Sequence, residues 1–225
     1  DYELGYTFAN SWFNAGVNLY YMNYKNQLIP TGELNEVGEA VAVNMPKSYR
    51  AGVELMAGIK LPCGFQWDVN ATLSKNRIKN FVETLYGYDD SYNNLPAVTI
   101  NHGTTHIALS PDLIFNNRFG YSYKGLEIAL QSQYVGKQYL SNADIADHKL
   151  DAYFVSNLNM AYTFKLPHTK SVTVGCTVYN LFNEEYENNG WAYSYYMNNA
   201  ANRQNYSYYA AQAGTNVLGH ISFSF

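Results

Sequence analysis

Apolar and polar residues alternate with period two along most of this chain, in runs of about ten residues or more. In the run 65–74, Phe65, Trp67, Val69, Ala71 and Leu73 share one face, and Gln66, Asp68, Asn70, Thr72 and Ser74 share the other. Successive side chains of a strand point to opposite faces, so such a run makes one apolar and one polar surface. The same holds upstream, where Ala51, Val53, Leu55, Ala57, Ile59 and Leu61 oppose Gly52, Glu54, Met56, Gly58 and Lys60. Downstream, Leu113, Phe115, Phe119 and Tyr121 oppose Asn116, Arg118 and Ser122, and Leu126, Ile128 and Leu130 oppose Glu127, Gln131 and Gln133. Phe154, Leu158, Met160, Tyr162 and Phe164 likewise oppose Tyr153, Asn157, Asn159, Thr163 and Lys165.

Length separates two all-β architectures that share this pattern. Sandwich strands usually run about five or six residues, whereas a tilted membrane strand needs roughly 9 to 11 to cross the hydrocarbon. These runs match the second. Tyr2, Tyr6, Phe13, Tyr21, Tyr121, Tyr123, Tyr134, Phe164, Phe223 and Phe225 sit toward run ends on the apolar face, as interfacial aromatic girdles require. The pattern predicts about nine strands, over 2–9, 11–30, 35–61, 65–82, 103–122, 125–140, 150–166, 170–182 and 211–225. Their linkers alternate short and long. Asn10-Ser11, Pro62-Cys63-Gly64, Lys124-Gly125 and Pro167-His168-Thr169 are short; 31–34, 83–101, 140–149 and 183–210 are long. Outer-membrane barrels have short periplasmic turns and long extracellular loops, so the long linkers are assigned outside and the C-terminus to the periplasm. Nine is odd, and an open edge cannot face lipid, so the expected unit is a transmembrane antiparallel meander completed by strands upstream.

Composition supports a barrel. Of 225 residues, 14% are charged and 23 are Tyr, an amphipathic residue suited to membrane interfaces. No apolar run approaches the roughly 20 residues of a membrane helix. A net charge of -4 argues against nucleic acid. Cys63 falls in a turn and Cys176 in mid-strand, too far apart for a disulfide and without ligand spacing for a metal. No signal peptide opens the chain, and residue 1 falls inside a strand pattern, as if cut from a longer protein.

Three stretches resemble TonB-dependent outer-membrane transporters. Asn44-Met45-Pro46-Lys47-Ser48-Tyr49-Arg50-Ala51-Gly52-Val53-Glu54 is similar to a strand of that family. Tyr179-Asn180-Leu181-Phe182-Asn183-Glu184-Glu185-Tyr186-Glu187-Asn188 is similar to its "N-L-F-[ND]-x-x-Y" near the C-terminus. Gly219-His220-Ile221-Ser222-Phe223-Ser224-Phe225 resembles the terminal strand read by the barrel-assembly machinery, with Phe223 and Phe225 as its signal. The stretch 134–142 is similar to Bacteroidetes-type members. The resemblance implies that residues 1–225 are the C-terminal portion of an up-and-down barrel of about 22 strands. The plug domain and the N-terminal strands would lie outside this chain. It also implies an outer-membrane receptor that binds a scarce nutrient (iron chelate, haem, cobalamin or glycan) and imports it with TonB-coupled energy. Its partners would be that small molecule, the TonB complex through the plug region, the barrel-assembly machinery and membrane lipid, with no cofactor. A passive porin-like channel and an adhesin-type barrel are the alternatives.

Ligand contacts are expected in the extracellular loops. Trp191, Tyr193, Tyr195, Tyr196 and Tyr206 occupy the longest, with Arg203 as its one Lys or Arg, and Tyr86 and Tyr88 occupy another. Aromatics offer contact area at low conformational cost, and Arg can pair with anions. A purely structural role, in holding long loops together and lining the barrel mouth, is the reading these residues favour over direct ligand contact. The pair Asp89-Asp90 reads as solvated loop carboxylates. Glu54, Lys60, Asp68, Arg118, Glu127, Lys165 and His220 are placed in the lumen, as a hydrated wall that seats a plug. Catalysis is not expected: His102 and His106 are four residues apart, but no H-E-x-x-H, G-x-S-x-G, P-loop or CxxC accompanies them.

Overall fold

The computed structural model describes residues 1–165 and 170–224, so the expected turn at 167–169 and Phe225 lie outside the described residues. In chain order the strands are β1 (Tyr2–Ala9), β2 (Phe13–Leu34), β3 (Ala40–Lys60), β4 (Phe65–Tyr88), β5 (Asn94–His106), β6 (Leu113–Tyr123) and β7 (Leu126–Val135). They continue as β8 (Gln138–Tyr139), β9 (Lys149–Leu150), β10 (Tyr153–Phe164), β11 (Ser171–Tyr179), β12 (Glu187–Met197), β13 (Arg203–Ala211) and β14 (Asn216–Ser224). Nine of these form an antiparallel wall in the order β1-β2-β3-β4-β6-β7-β10-β11-β14.

Register assigns the two faces. Ile59, Trp67, Phe119, Leu130, Leu158, Val178 and Val217 stand side by side across seven strands as one apolar row. One residue along, Gly58, Asp68, Arg118, Gln131 and Asn157 form the neighbouring row on the opposite face. The apolar face is also the uncovered one: Leu73 is 49% exposed, Phe119 43% and Ile221 61%. In a sandwich that face would be buried against a second sheet; here it is left for lipid.

The Lys124-Gly125 turn shows how sequence sets the pairing. Tyr123 pairs with Leu126, leaving two loop residues with φ of 46° and 89°. Positive φ at both positions is the turn whose twist matches a hairpin. A Cβ on Gly125 would stand 2.6 Å from the Thr163 carbonyl oxygen, so glycine is required there by space as well as by φ.

Three features depart from simple alternation. The expected strand 103–122 is two strands, β5 and β6, both paired with β4 and separated by a jog at 107–112. Leu109 there is left-handed (φ 52°) and Pro111 has no N–H for the ladder. The jog turns onto the lumen face, where the Ser74 amide donates to the Asp112 carbonyl at 2.8 Å and the Ser74 hydroxyl to that of Pro111 at 3.1 Å. Second, the linkers 83–101 and 183–210 are ordered hairpins, β4–β5 and β12–β13. Third, β2 and β4 exchange faces part-way. Met22 and Tyr24 point inward before Asn26, but Gln27, Ile29 and Thr31 do so after it. Asn76 and Ile78 point inward before Asn80, then Phe81, Glu83 and Leu85. Asn26 (φ 55°) and Asn80 (φ 54°) are both left-handed, which Asn tolerates better than other L residues.

Because of these reversals Ile29 on β2 and Phe81 on β4 turn inward and meet the inward-facing Met45, Ile78 and Ile107. Ile29, Met45, Ile78 and Ile107 form a small core with Phe81 against it. A second cluster of Leu140, Leu150 and Ala192 joins the 140–149 loop to β12. The end that carries the long loops is thus packed like a soluble protein, while the wall below keeps its barrel pattern.

Candidate ligand-facing rim

The β12–β13 hairpin leans across to β4, and three chemistries hold it there. Tyr195, Tyr196 and Met197 pair in parallel with Tyr86, Gly87 and Tyr88. Tyr196 is buried, and its hydroxyl donates to the Pro96 carbonyl at 2.5 Å. Its ring lies where a Cβ on Gly87 would be, 2.0 Å from Cζ, so only glycine admits this approach. Arg203 makes a two-pronged ion pair with Glu83, Nη1 to Oε2 at 2.8 Å and Nη2 to Oε1 at 2.7 Å. Arg203 also donates to Asn205 at 2.8 Å and Ser194 at 2.9 Å, while His102 Nε2 lies 2.8 Å from Glu83 Oε2. Burial raises the Glu83 carboxyl, but hydrogen bonds and charge from Arg203 and His102 outweigh it and hold the group below the usual glutamate range.

The same face of the hairpin is also fastened to the 140–149 loop. Asn205 and Ser207 donate to Asp147, at 3.1 Å to the carboxylate and 2.7 Å to the carbonyl. His148 is buried beside it with Nδ1 2.9 Å from the Ser141 hydroxyl. Burial, with the Arg203 charge adding, pushes its imidazole below the ordinary range, so it stays neutral.

The opposite face of the hairpin carries an aromatic ladder. Trp191 stacks on Tyr208 (centroids 4.3 Å apart, 11° between planes), Tyr193 on Tyr206 (5.2 Å, 14°) and Tyr195 on Tyr206 (5.8 Å, 2°). Tyr88 closes one end with its edge against Tyr195 at 5.7 Å. Period two explains the ladder: alternate residues of two paired strands project on one side. A hydrogen bond with Tyr206, reinforced by partial desolvation, pushes the Tyr195 phenol up to about 12. Burial and its tyrosine neighbours raise the Tyr193 phenol as well, so these two hydroxyls stay neutral at physiological pH.

Of the residues expected to meet ligand, Trp191, Tyr193, Tyr195 and Tyr206 thus stand together in the ladder with Tyr88 beside them. Tyr86 is 62% exposed on the rim nearby. Tyr196 and Arg203 point the other way, into the contacts that dock the hairpin. Pattern reading did not single out Glu83, which became visible only once the face exchange at Asn80 turned it inward. Asp89 caps its own turn, accepting from Ser91 and Asn93, and Asp90 accepts from Asn198 at 2.7 Å. His106 is engaged by Asp144 at 2.9 Å. In the lumen, Asp68 and Arg118 approach to 3.5 Å and Asn18 donates to Glu54 at 3.2 Å. Glu54 shares a cavity of about 450 Å³ with Tyr20 and Arg50 beneath the jog.

A long-stranded antiparallel wall, apolar outside and polar within, capped at one end by ordered loops, defines an outer-membrane β-barrel architecture. The family model for the TonB dependent receptor-like β-barrel matches residues 1–181, and the chain belongs to that family. The chain is similar in fold to the ferric yersiniabactin uptake receptor FyuA from Yersinia pestis, with 16% identity and TM-score 0.64 over 97% of this chain. It is also similar to the copper transporter OprC (17%, 0.64, 99%) and the iron transporter FrpB from Neisseria meningitidis (18%, 0.60, 99%). The chain spans only 28% to 30% of the length of these three proteins. No curated protein sequence matches it. At these identities the likeness concerns the fold alone.

Proposed function

We propose that this chain is the C-terminal part of the wall, and part of the extracellular rim, of an outer-membrane receptor that imports a scarce nutrient with TonB-coupled energy. The observation that carries this reading is the rim itself: three loops are locked together over the lumen and present a stacked aromatic surface. A passive wall has no need of such a device. Strands and a plug outside this chain would close the barrel, since β1 and β14 end the sheet order and bare ladder edges are not tolerated in lipid. The plug region would meet the TonB complex, β14 with Phe223 and Phe225 the barrel-assembly machinery, and the apolar face the membrane lipid. Trp191, Tyr193, Tyr195, Tyr206, Tyr86 and Tyr88 would form the ligand-contacting surface, with Arg203 and Tyr196 holding it in place. Relatives in fold named for ferric chelates and copper support starting with metal-bearing nutrients, ahead of haem, cobalamin or glycan. The role is that of a receptor and not an enzyme.

One observation favours the passive-channel alternative: the jog at 107–112 folds onto the lumen face, as a pore constriction would. Uptake of ferric chelates by cells carrying the full-length protein, with and without the energy-coupling complex, separates the two. Uptake that stops without coupling supports active import. Coupling-independent uptake sinks it in favour of the pore.

A further inference from the structure

The outward face of β2, β3 and β4 changes chemistry once along its length. Register sets Leu19, Val53 and Leu73 side by side, with Val17, Leu55 and Ala71 in the row below, all apolar. Toward the long loops the same face continues, two residues at a time, through Tyr21, Asn23 and Lys25 on β2 and Ala51, Tyr49 and Lys47 on β3. On β4 it continues through Lys75, Arg77 and Lys79. Five of the chain's 14 Lys and Arg therefore meet in one block of three strands, although the whole chain carries a net charge of -4. No Asp or Glu shares these positions. Lys25 and Lys47 stand directly opposite each other, and like charges so placed destabilise a strand pair. Arg77 is neutralised by Asp112, Nη1 to Oδ1 at 3.0 Å and Nη2 to Oδ2 at 2.9 Å. The four lysines are exposed, and among the described residues none of them is in an ion pair. Tyr21 stacks on Tyr49 at 6.1 Å, and Lys79 Nζ lies 5.3 Å from the centre of the Tyr49 ring.

We propose that this block is a docking site for a phosphorylated glycolipid of the membrane leaflet at the long-loop end, with its phosphates among the lysines and its acyl chains on the apolar rows below. Charge complementarity argues for the phosphates, because four unpaired ammonium groups on three adjacent strands need anions between them, and basic residues at a membrane surface recognise anionic headgroups. Continuity argues for a lipid over a soluble anion. The apolar rows begin directly beneath the charges, and Tyr21 and Tyr49 mark the boundary, where amphipathic rings gather at headgroup level. The block is about 10 Å wide across three strands and about 13 Å long from Lys75 to Lys79, room for more than one phosphate. A sugar headgroup that holds two phosphates apart matches this spread better than phosphates joined through one glycerol. The site rests on the reading that the apolar face meets membrane lipid, and it is independent of import.

The test places the full-length protein in nanodiscs of phosphatidylcholine and titrates it with diphosphoryl lipid A, its monophosphoryl form and cardiolipin, with bound lipid counted by native mass spectrometry. Saturable binding of the diphosphoryl form is expected, tighter than either of the others by on the order of fivefold, the worth of one basic contact. Changing Lys25→Gln and Lys47→Gln together should weaken it by on the order of 30-fold, the worth of two. Lys60→Gln, at the far end of β3 on the other face, should leave it unchanged. Because Lys25 and Lys47 are exposed, the paired variant should assemble normally, which heat-modifiable gel mobility checks. Equal binding of the three lipids overturns the proposal, as does tighter binding of cardiolipin or unchanged affinity in the paired variant. Displacement of the glycolipid by excess inorganic phosphate would also overturn it, in favour of a plain anion site. All of these results leave the membrane reading standing, because insertion into the nanodisc reports it separately. A barrel that does not insert loses the membrane reading and this site together.

Discussion

Glu83 and Arg203 decide how firmly the long hairpin is docked. The pair is two-pronged and mostly shielded from water, with side chains 16% and 19% exposed. Removing one partner strands the other, and such losses are worth about 3 kcal/mol when the site is buried. Arg203→Ala should therefore raise hydrogen exchange across β12–β13 on the order of 100-fold and leave the wall strands unchanged. Arg203→Lys should not restore protection, because an ammonium cannot make the fork-shaped contact. Unchanged exchange in Arg203→Ala would mean that strand pairing alone holds the hairpin. The pH dependence follows from the lowered Glu83 value. A depressed carboxylate contributes fully above the unfolded value near 4.5, and its contribution is lost as pH falls through the lower folded value. Hairpin protection corrected for intrinsic exchange should be flat from neutral pH down to about 4.5 and then fall as pH drops toward the lower folded value. At Gly87, alanine would strike the Tyr196 ring, and Gly87→Ala should loosen the same hairpin by roughly 1–3 kcal/mol. None of these contacts was readable from residue type. Arg203 was legible as a lone cation in an aromatic loop, but its partner lies 120 positions away and faces inward only because Asn80 reverses β4.

At the scale of elements, turns and reversals fix the register that side-chain pattern only suggests. Gly125→Val places a branched side chain at φ 89° against a carbonyl oxygen, so assembly into the outer membrane should fall sharply. Lys124→Asn should be tolerated, since Asn favours the left-handed region. Folded yield by heat-modifiable mobility measures both, and equal yields for the two would sink the argument from turn geometry. Replacing Asn80 by Val imposes a cost of about 1–2 kcal/mol on a left-handed residue. Its effect should appear in the rim, through Phe81, Glu83 and Leu85, and not in the wall below. Strand existence and facing were legible along 51–74 and 113–135 because most side chains there face either the apolar outside or the polar lumen of the wall. The loops 83–101 and 183–210 hid their hairpins. Their side chains pack on one another, so polarity no longer tracks strand face.

On the scale of the whole molecule the chain is a wall with two solvents. Lipid on one side and water on the other make neighbouring positions respond oppositely to charge. Leu130→Arg should destabilise the full-length barrel by about 2–4 kcal/mol if it lies near mid-membrane, and Gln131→Arg by far less. Unfolding in lipid vesicles measures the difference, and equal costs would contradict the assignment of faces.

Alternating hydrophobicity, strand length and the rhythm of short and long linkers were enough to determine a nine-stranded membrane wall, its inside and its outside. They suffice because each wall side chain answers to a solvent, and that information is local. The jog at 107–112, the face exchanges at Asn26 and Asn80, and the docking of β12–β13 were decided only by tertiary structure. There each residue answers to another chain segment, and which segment that is depends on backbone conformations that a pattern of polar and apolar letters does not encode.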